Sequence, residues 1–364
     1  MKKILNFSLL FLIFVNLMAS KPASYKIINS DKLVAEKMAD EYISHLSGNV
    51  HFFYNDIEFY SDEADIFDKR EFIKLVGNVR VFKDTLTMNA QFASYDKKAD
   101  FLFLKNNVKF VVDHSDTTQS RFYANKIEYK RNKGIVTATD SVRAFDEKNK
   151  FKAKSELLVY NQKTGFGYLI KKPELYISGA DSITIKAAKI EYYHNTGKIV
   201  GLFDVRTFNK DYHTTSNFLI YYNKDEKAVF SGEPKFYSKS GDAVSTQFNL
   251  FFAKNKLSKA TLIDSSKINF SSEKDGEKDS WITGDNVDIY FNDGKINKFN
   301  AEKNVVSYII SNKNNKEKYL ENLTKSDNLF VNFDKNNKIE NIIVDKRVSG
   351  KYFFFNNSNK SVDK

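Results

Sequence analysis

An aromatic residue closing an alternating run recurs along this chain at Phe67, Tyr95, Tyr129, Tyr160, Tyr193, Tyr221, Phe251, Tyr290 and Phe333. The separations are 28, 34, 31, 33, 28, 30, 39 and 43 residues. A small or short polar residue stands five positions earlier, from Asp62 and Ala90 to Asp285 and Asn328. Turn formers follow each aromatic, as in Asp96-Lys97-Lys98, Asn132-Lys133-Gly134 and Asn292-Asp293-Gly294. A unit of this size cannot bury its own apolar face, so the units must stack.

A second landmark lies between the aromatics: Gly77-Asn78-Val79, Asn106-Asn107-Val108, Asp140-Ser141-Val142, Asp204-Val205 and Asn304-Val305. A polar interruption of an alternating run predicts a bulge or corner. Pro173 and Pro234 occupy the same slot, and proline enters sheets mainly at edges and bulges. Gly48-Asn49-Val50 marks an earlier unit beginning near Ser30-Asp31. The runs between landmarks alternate with period two, as in Leu86, Met88, Ala90 and Phe92. Asp31–Ile43 also admits a short helix, but its likeness to later units favours a strand. The expectation is about twenty strands over residues 25–350. Polar insertions are expected at 271–280 and 311–322, and a frayed tail over 351–364.

Composition agrees. The chain of 364 residues has 33 Phe and 20 Tyr but three Pro and no Cys, so packing and strand pairing must stabilise it. The net charge of +11 is read as a solvated, lysine-rich surface rather than a polyanion site, and no nucleic-acid partner is expected. The start combines a basic Met1-Lys2-Lys3, an apolar run to Met18 and the small pair Ala19-Ser20, the layout of a signal peptide over residues 1–20. The alternative is retention as an inner-membrane N-terminal anchor. Either way the expected compartment is the periplasm.

Catalytic and cofactor constellations are missing from the sequence, and no enzyme, cofactor or metal is predicted. The five histidines show no metal-pair spacing. His114-Ser115-Asp116 reads as a turn, because adjacency does not build a relay. Gly165-Phe166-Gly167 has no following helix to cradle a phosphate.

The repeated unit resembles the OstA-like family, which includes the periplasmic bridge protein of lipopolysaccharide transport and the N-terminal domain of its outer-membrane translocon. The phrases that carry the resemblance are Leu46-Ser47-Gly48-Asn49-Val50-His51-Phe52, Ser61-Asp62-Glu63-Ala64-Asp65, Leu75-Val76-Gly77-Asn78-Val79-Arg80-Val81 and Ala124-Asn125-Lys126-Ile127-Glu128-Tyr129. The β region is about twice that of the compact bridge protein, and no room remains for the translocon's barrel.

The resemblance implies an all-β fold: an extended, twisted β-jelly roll, a solenoid-like stack of antiparallel strands with an open apolar groove. One OstA-like roll would occupy residues 21–150, with its continuation or a second copy over 151–350. It implies lipopolysaccharide as cargo, partners of the same fold in the inner-membrane complex and outer-membrane translocon, and end-to-end homo-oligomers through unpaired edges. The expected lipid-binding residues are Ile57, Phe59, Ile66, Ile73, Leu75, Val79, Val81, Leu86, Met88, Phe92, Phe101, Phe103, Phe110 and Val112. Lys97, Lys98, Lys105 and Lys109 are basic candidates near the seam for anionic sugar or phosphate groups. The apolar residues would serve equally to fill a closed core, as an exported structural or adhesive β-solenoid requires. Unfilled apolar interior separates the two readings. A polysaccharide-binding or -cleaving β-protein is a third reading, weakened by a single Trp and no convincing acid pair.

Overall fold

The computed structural model describes residues 25–356, apart from 179–181, 240, 255, 271–279, 293–294, 312–317 and 335–338. The signal-peptide segment, most of the two expected insertions and residues 357–364 lie outside the described residues.

Among the described residues, all twenty-six strand segments belong to one antiparallel sheet. Chain neighbours pair with one another, so the sheet is a meander. Six rungs are split in two, as where Tyr25–Asn29 and Lys32–Met38 both pair with Glu41–Tyr54. Counting each split pair once leaves twenty bent strands. Asp31–Ile43 is therefore strand rather than helix, with Lys32–Met38 paired to Glu41–Ser47. Pairing continues across the expected boundary at residue 150, since the strands on either side of the turn at 147–150 pair, with Phe151 facing Asp146. It also runs past the expected start of the tail, since Ser349–Asn356 pairs with Lys318–Lys325.

What bends the strands is a repeated corner. Among the described residues ten pairs have consecutive positive φ: Gly48/Asn49, Gly77/Asn78, Asn106/Asn107, Asp140/Ser141, Lys171/Lys172, Phe203/Asp204, Gly232/Glu233, Asp264/Ser265, Lys303/Asn304 and Lys346/Arg347. Glycine, Asn and Asp adopt this left-handed conformation at least cost, which explains the Gly-Asn and Asn-Asn phrases. Each pair stands opposite a single residue of the neighbouring strand, and at six of the corners the N–H of that residue closes the corner. Asp31, Glu156, Ala188, Asn217, Thr246 and Asp327 donate to the first corner carbonyl at 2.9–3.1 Å. The side chains add a clasp: Asn49 Nδ2 donates to Asp31, Asn78 Nδ2 to Asp62 and Asn304 Nδ2 to Asp285. Pro173 and Pro234 directly follow two of the corners, in the slot held elsewhere by Val50, Val79, Val108, Val142, Val205 and Val305. All eight are buried.

The corners fold the sheet into two leaves around one core. Both halves of Phe151–Asn161 show this, since Phe151 and Ala153 line the same interior space as Leu158 and Tyr160. We call leaf one the half containing Glu41–Ser47 and leaf two the half containing Val50–Tyr54. One inner row of leaf one runs in register from Leu33 opposite Leu46, through Ala64, Leu75, Ala93, Leu104 and Ile127, to Leu329 opposite Val344. Gly201 is its only member without a side chain; the others are apolar.

Candidate functional site

Eleven of the fourteen expected lipid-facing residues point inward: Ile57, Phe59, Ile66, Ile73, Leu75, Val79, Val81, Leu86, Met88, Phe110 and Val112 are all buried. Phe92, Phe101 and Phe103 do not join them. In Leu86–Asp96 the single residue facing the corner, Gln91, shifts the pleat by one, so Ala93 and Tyr95 turn inward and Phe92 outward. In Phe101–Asp113, Leu102 and Leu104 take the inner positions. Phe92 and Phe103 pack edge to face on the outside at 6.2 Å, with Lys126 over Phe103.

Around the expected residues the interior is filled by stacked rings. Phe52 lies on Phe59 at 5.2 Å, and Tyr54 meets Tyr95 edge to face across the two leaves. Unfilled apolar space lies further along the chain. A cavity of about 50 Å³ is lined by Phe122, Phe151, Leu158, Tyr160, Leu169 and Leu175. A smaller one of about 10 Å³ is lined by Ile185, Leu219, Tyr221, Phe230, Leu250 and Phe252. The alternation that singled out residues 57–112 continues through these positions, and was the signal that could have found them.

The free margins of the leaves, where the hairpin turns lie, form a mouth closed by two polar latches. In the first, Arg131 of leaf one donates from Nη1 to the Tyr95 hydroxyl at 2.9 Å. The same guanidinium lies 3.4 Å from Asp100 and 4.0 Å from Asp56 of leaf two. Lys97 also crosses the mouth, lying over the ring of Tyr54. Burial chiefly pushes the Tyr95 hydroxyl far above its ordinary range.

The second latch is buried. Asp146 of leaf two accepts hydrogen bonds from Tyr192 and Asn149 and shares one with His194 Nδ1 at 2.8 Å. Asn149 Nδ2 also donates to the Tyr192 hydroxyl and the His194 carbonyl. Burial opposes ionisation of Asp146, but the hydrogen bonds from His194, Tyr192 and Asn149 outweigh it and hold the carboxyl down at about 2. His114 bonds Ser120 Oγ at 2.8 Å and stacks on His194 with ring centres 4.4 Å apart. Burial, then repulsion from His194, lowers its pKa. The Ser–His and His–Asp contacts therefore sit on different imidazoles stacked face to face, and no relay connects carboxylate to hydroxyl. His114-Ser115-Asp116 is a turn, closed by Thr117 N–H on the His114 carbonyl at 3.1 Å.

The basic seam candidates are divided. Lys97 and Lys98 lie in a turn at the mouth, with Lys97 bound to Glu71 at 3.2 Å. Lys105 and Lys109 flank the corner Asn106/Asn107 at the far side of the sheet.

The terminal rungs carry apolar side chains into solvent. Ile28, Leu33, Val34 and Met38 are exposed on the first rung, and Ile342, Ile343, Tyr352 and Phe354 on the last.

A continuous antiparallel meander, bent at a repeated corner around an apolar interior, is a β-jelly-roll-like fold. Residues 24–171 match the family model for OstA-like proteins, so the chain is OstA-like over that stretch. Among solved structures it is similar to LptH of Pseudomonas aeruginosa, described as the LptA-homologous periplasmic component of the lipopolysaccharide transport device. The identity is 18% and the TM-score 0.27, covering 29% of this chain and 75% of that one. No curated protein matches.

Proposed function

We propose that this protein holds the acyl chains of lipopolysaccharide between its two leaves in the periplasm. In this reading it passes them along the inner face toward the outer membrane and joins partners of the same fold end to end. The observation that carries the reading is the inner row of apolar residues, uninterrupted from first rung to last. Hydrocarbon contributes about 0.8 kcal/mol per CH₂ on leaving water, so a chain of a dozen carbons costs roughly 10 kcal/mol to expose. A row without polar breaks lets such a chain advance from rung to rung at nearly constant free energy. Cavities of about 50 and 10 Å³ are several-fold too small for one acyl chain, so loading requires the leaves to part at the mouth. The exposed terminal strands offer unpaired backbone for strand addition.

A photo-crosslinking amino acid at Leu158 tests the cargo in living cells, with Phe103 on the outer face as control. A lipopolysaccharide adduct at Leu158 and none at Phe103 is expected. Equal labelling, or no adduct at any inner position, overturns the reading. The filled interior of the first rungs favours a second reading, an exported structural β-fibre. That reading predicts protein free of lipid when purified from the periplasm.

A further inference from the structure

The outer face of leaf two carries a charge pattern that the net charge conceals. One cross-strand row runs in unbroken register from Asn29 opposite His51 to Lys325 opposite Ser349, one residue from each of the twenty bent strands. On corner-bearing strands it holds Arg80, Lys109, Arg143, Arg206, Lys235 and Lys267, each two positions beyond a corner and each exposed. The intervening strands add Lys154, Lys186 and Lys325, and Glu174 is the row's single acid. The whole chain is nearly balanced, with 57 Lys and Arg against 46 Asp and Glu. Leaf one is mixed: its outer row next to the corners holds Lys32, Lys105, Lys126 and Lys189 against Glu63, Glu302 and Asp345, and the next outer row holds Asp65, Glu128, Glu191 and Asp288 against Lys74 alone.

Two features mark the row as more than a solvated face. Arg143 stands directly opposite Lys154, and Lys186 opposite Arg206, pairings that destabilise a sheet. Glu174 neutralises only its neighbours Lys154 and Lys186, at 2.8 and 2.9 Å. Among the described residues the six corner-strand cations form no ion pair. The start of the row, from Asn29 to Asn89, itself lines a groove of about 570 Å³ together with Asn49, Asn78, Gln91, Asn107 and one carboxylate, Asp62. Amide side chains donate and accept at once, which suits hydroxyl groups.

We propose that this face binds an extended acidic polysaccharide, with carboxylates on the cation row and hydroxyls in the amide groove. Cations on alternate strands repeat every ~9–10 Å, about the length of an extended disaccharide. Duplex DNA presents a phosphate every ~3.4 Å along each strand, a much denser charge than this row matches. Base stacking is also blocked, because Arg80 covers the ring of Tyr60, Arg143 that of Tyr123 and Lys267 that of Trp281. The inference concerns the outer surface and stands whether or not lipid enters between the leaves.

The test is binding of fluorescent alginate to the full chain at low salt, beside neutral dextran, poly(dT) and anionic phospholipid vesicles. Alginate is expected to bind with a salt-dependent affinity and dextran not to bind. The variant Arg80→Gln/Lys109→Gln/Arg143→Gln is expected to weaken alginate at least about tenfold. Lys74→Gln/Lys126→Gln/Lys189→Gln on leaf one removes the same charge and is expected to leave binding within about twofold, circular dichroism confirming both folds. Equal losses in the two variants, tighter binding of poly(dT) or vesicles than of alginate, or no binding of alginate overturns the proposal.

Discussion

Asp146 and His194 stand on opposite margins of the folded sheet and share a 2.8 Å hydrogen bond across its mouth. Neither is more than marginally exposed, so the bond is made in a poorly solvated place. Replacing Asp146 by Ala leaves His194, Tyr192 and Asn149 without their shared acceptor. The expected loss is about 3 kcal/mol, read as a lower urea midpoint at unchanged slope. The depressed carboxyl sets the sign with pH. Its contribution is complete above the ordinary value of 3.8 and fades as pH falls toward about 2. Wild type should lose stability over that window faster than Asp146→Asn.

His114 titrates the same latch nearer neutrality. Burial and the facing His194 lower its pKa, Asp146 and Asp116 oppose that, and Lys148 adds to it. A base with a depressed folded pKa stabilises the closed form while neutral, above its ordinary value of 6.5. Acidification through the lowered value favours any state that frees the ring. The chain has no native Cys, so Leu158→Cys reports opening by thiol labelling. After correction for thiolate fraction, labelling should be faster at about pH 5.5 than at about pH 7.5. His114→Phe should abolish the difference.

The sequence made the meander, the rung length and the corner legible, because all three rest on local chemistry. Gly-Asn and Asn-Asn tolerate positive φ, and the prolines marked the slot where a ladder bond is given up. The face of each side chain near a corner was harder to read. Two residues inserted on one strand keep its alternation, as from Leu75 to Val79, whereas one inserted on its neighbour reverses it, as from Ala90 to Ala93. Reading straight through that reversal put Phe92 inside. The latches were invisible, since His114, Asp146 and His194 meet only when distant units close on each other.

The corner at Gly77 is open to direct test. Its φ is +75°, and a Cβ there would collide with the Asp62 carboxylate. Gly77→Ala therefore combines left-handed strain with a clash, and about 1–3 kcal/mol of destabilisation is expected. Asp62→Ala also loses the clasp to Asn78 Nδ2 at 2.9 Å. In the double variant the carboxylate's share of the clash is gone while the strain and the close Cβ of residue 62 stay, so the two losses should sum to more than the measured total. Strict additivity in urea unfolding would show that the carboxylate moves aside freely.

Packing within the first rungs yields a sharper contrast. Phe59 is fully buried and contacts both Phe52 and Tyr95. Phe59→Ala should cost about 3–5 kcal/mol, the range for an aromatic removed from a packed core. Phe103 lies on the outer face, where Phe103→Ala should cost under about 1 kcal/mol. If the two losses matched, the outer placement of Phe103 would be wrong.

The terminal rungs decide whether copies join. Leu33 and Val34 on the first strand and Phe353 and Phe354 on the last are exposed, Phe354 to 81%. Unpaired edges carrying apolar side chains template strand addition unless charge or proline blunts them. If copies join first rung to last, one blunted end on every molecule stops growth, since each junction needs both kinds of end. Val34→Pro alone should then abolish concentration-dependent association in sedimentation velocity, and Phe354→Lys alone should do the same. Mixing the two variants should restore dimers and nothing larger, because each variant keeps the end the other has lost. Persistent long assemblies in either single variant would mean that contacts elsewhere hold the copies together.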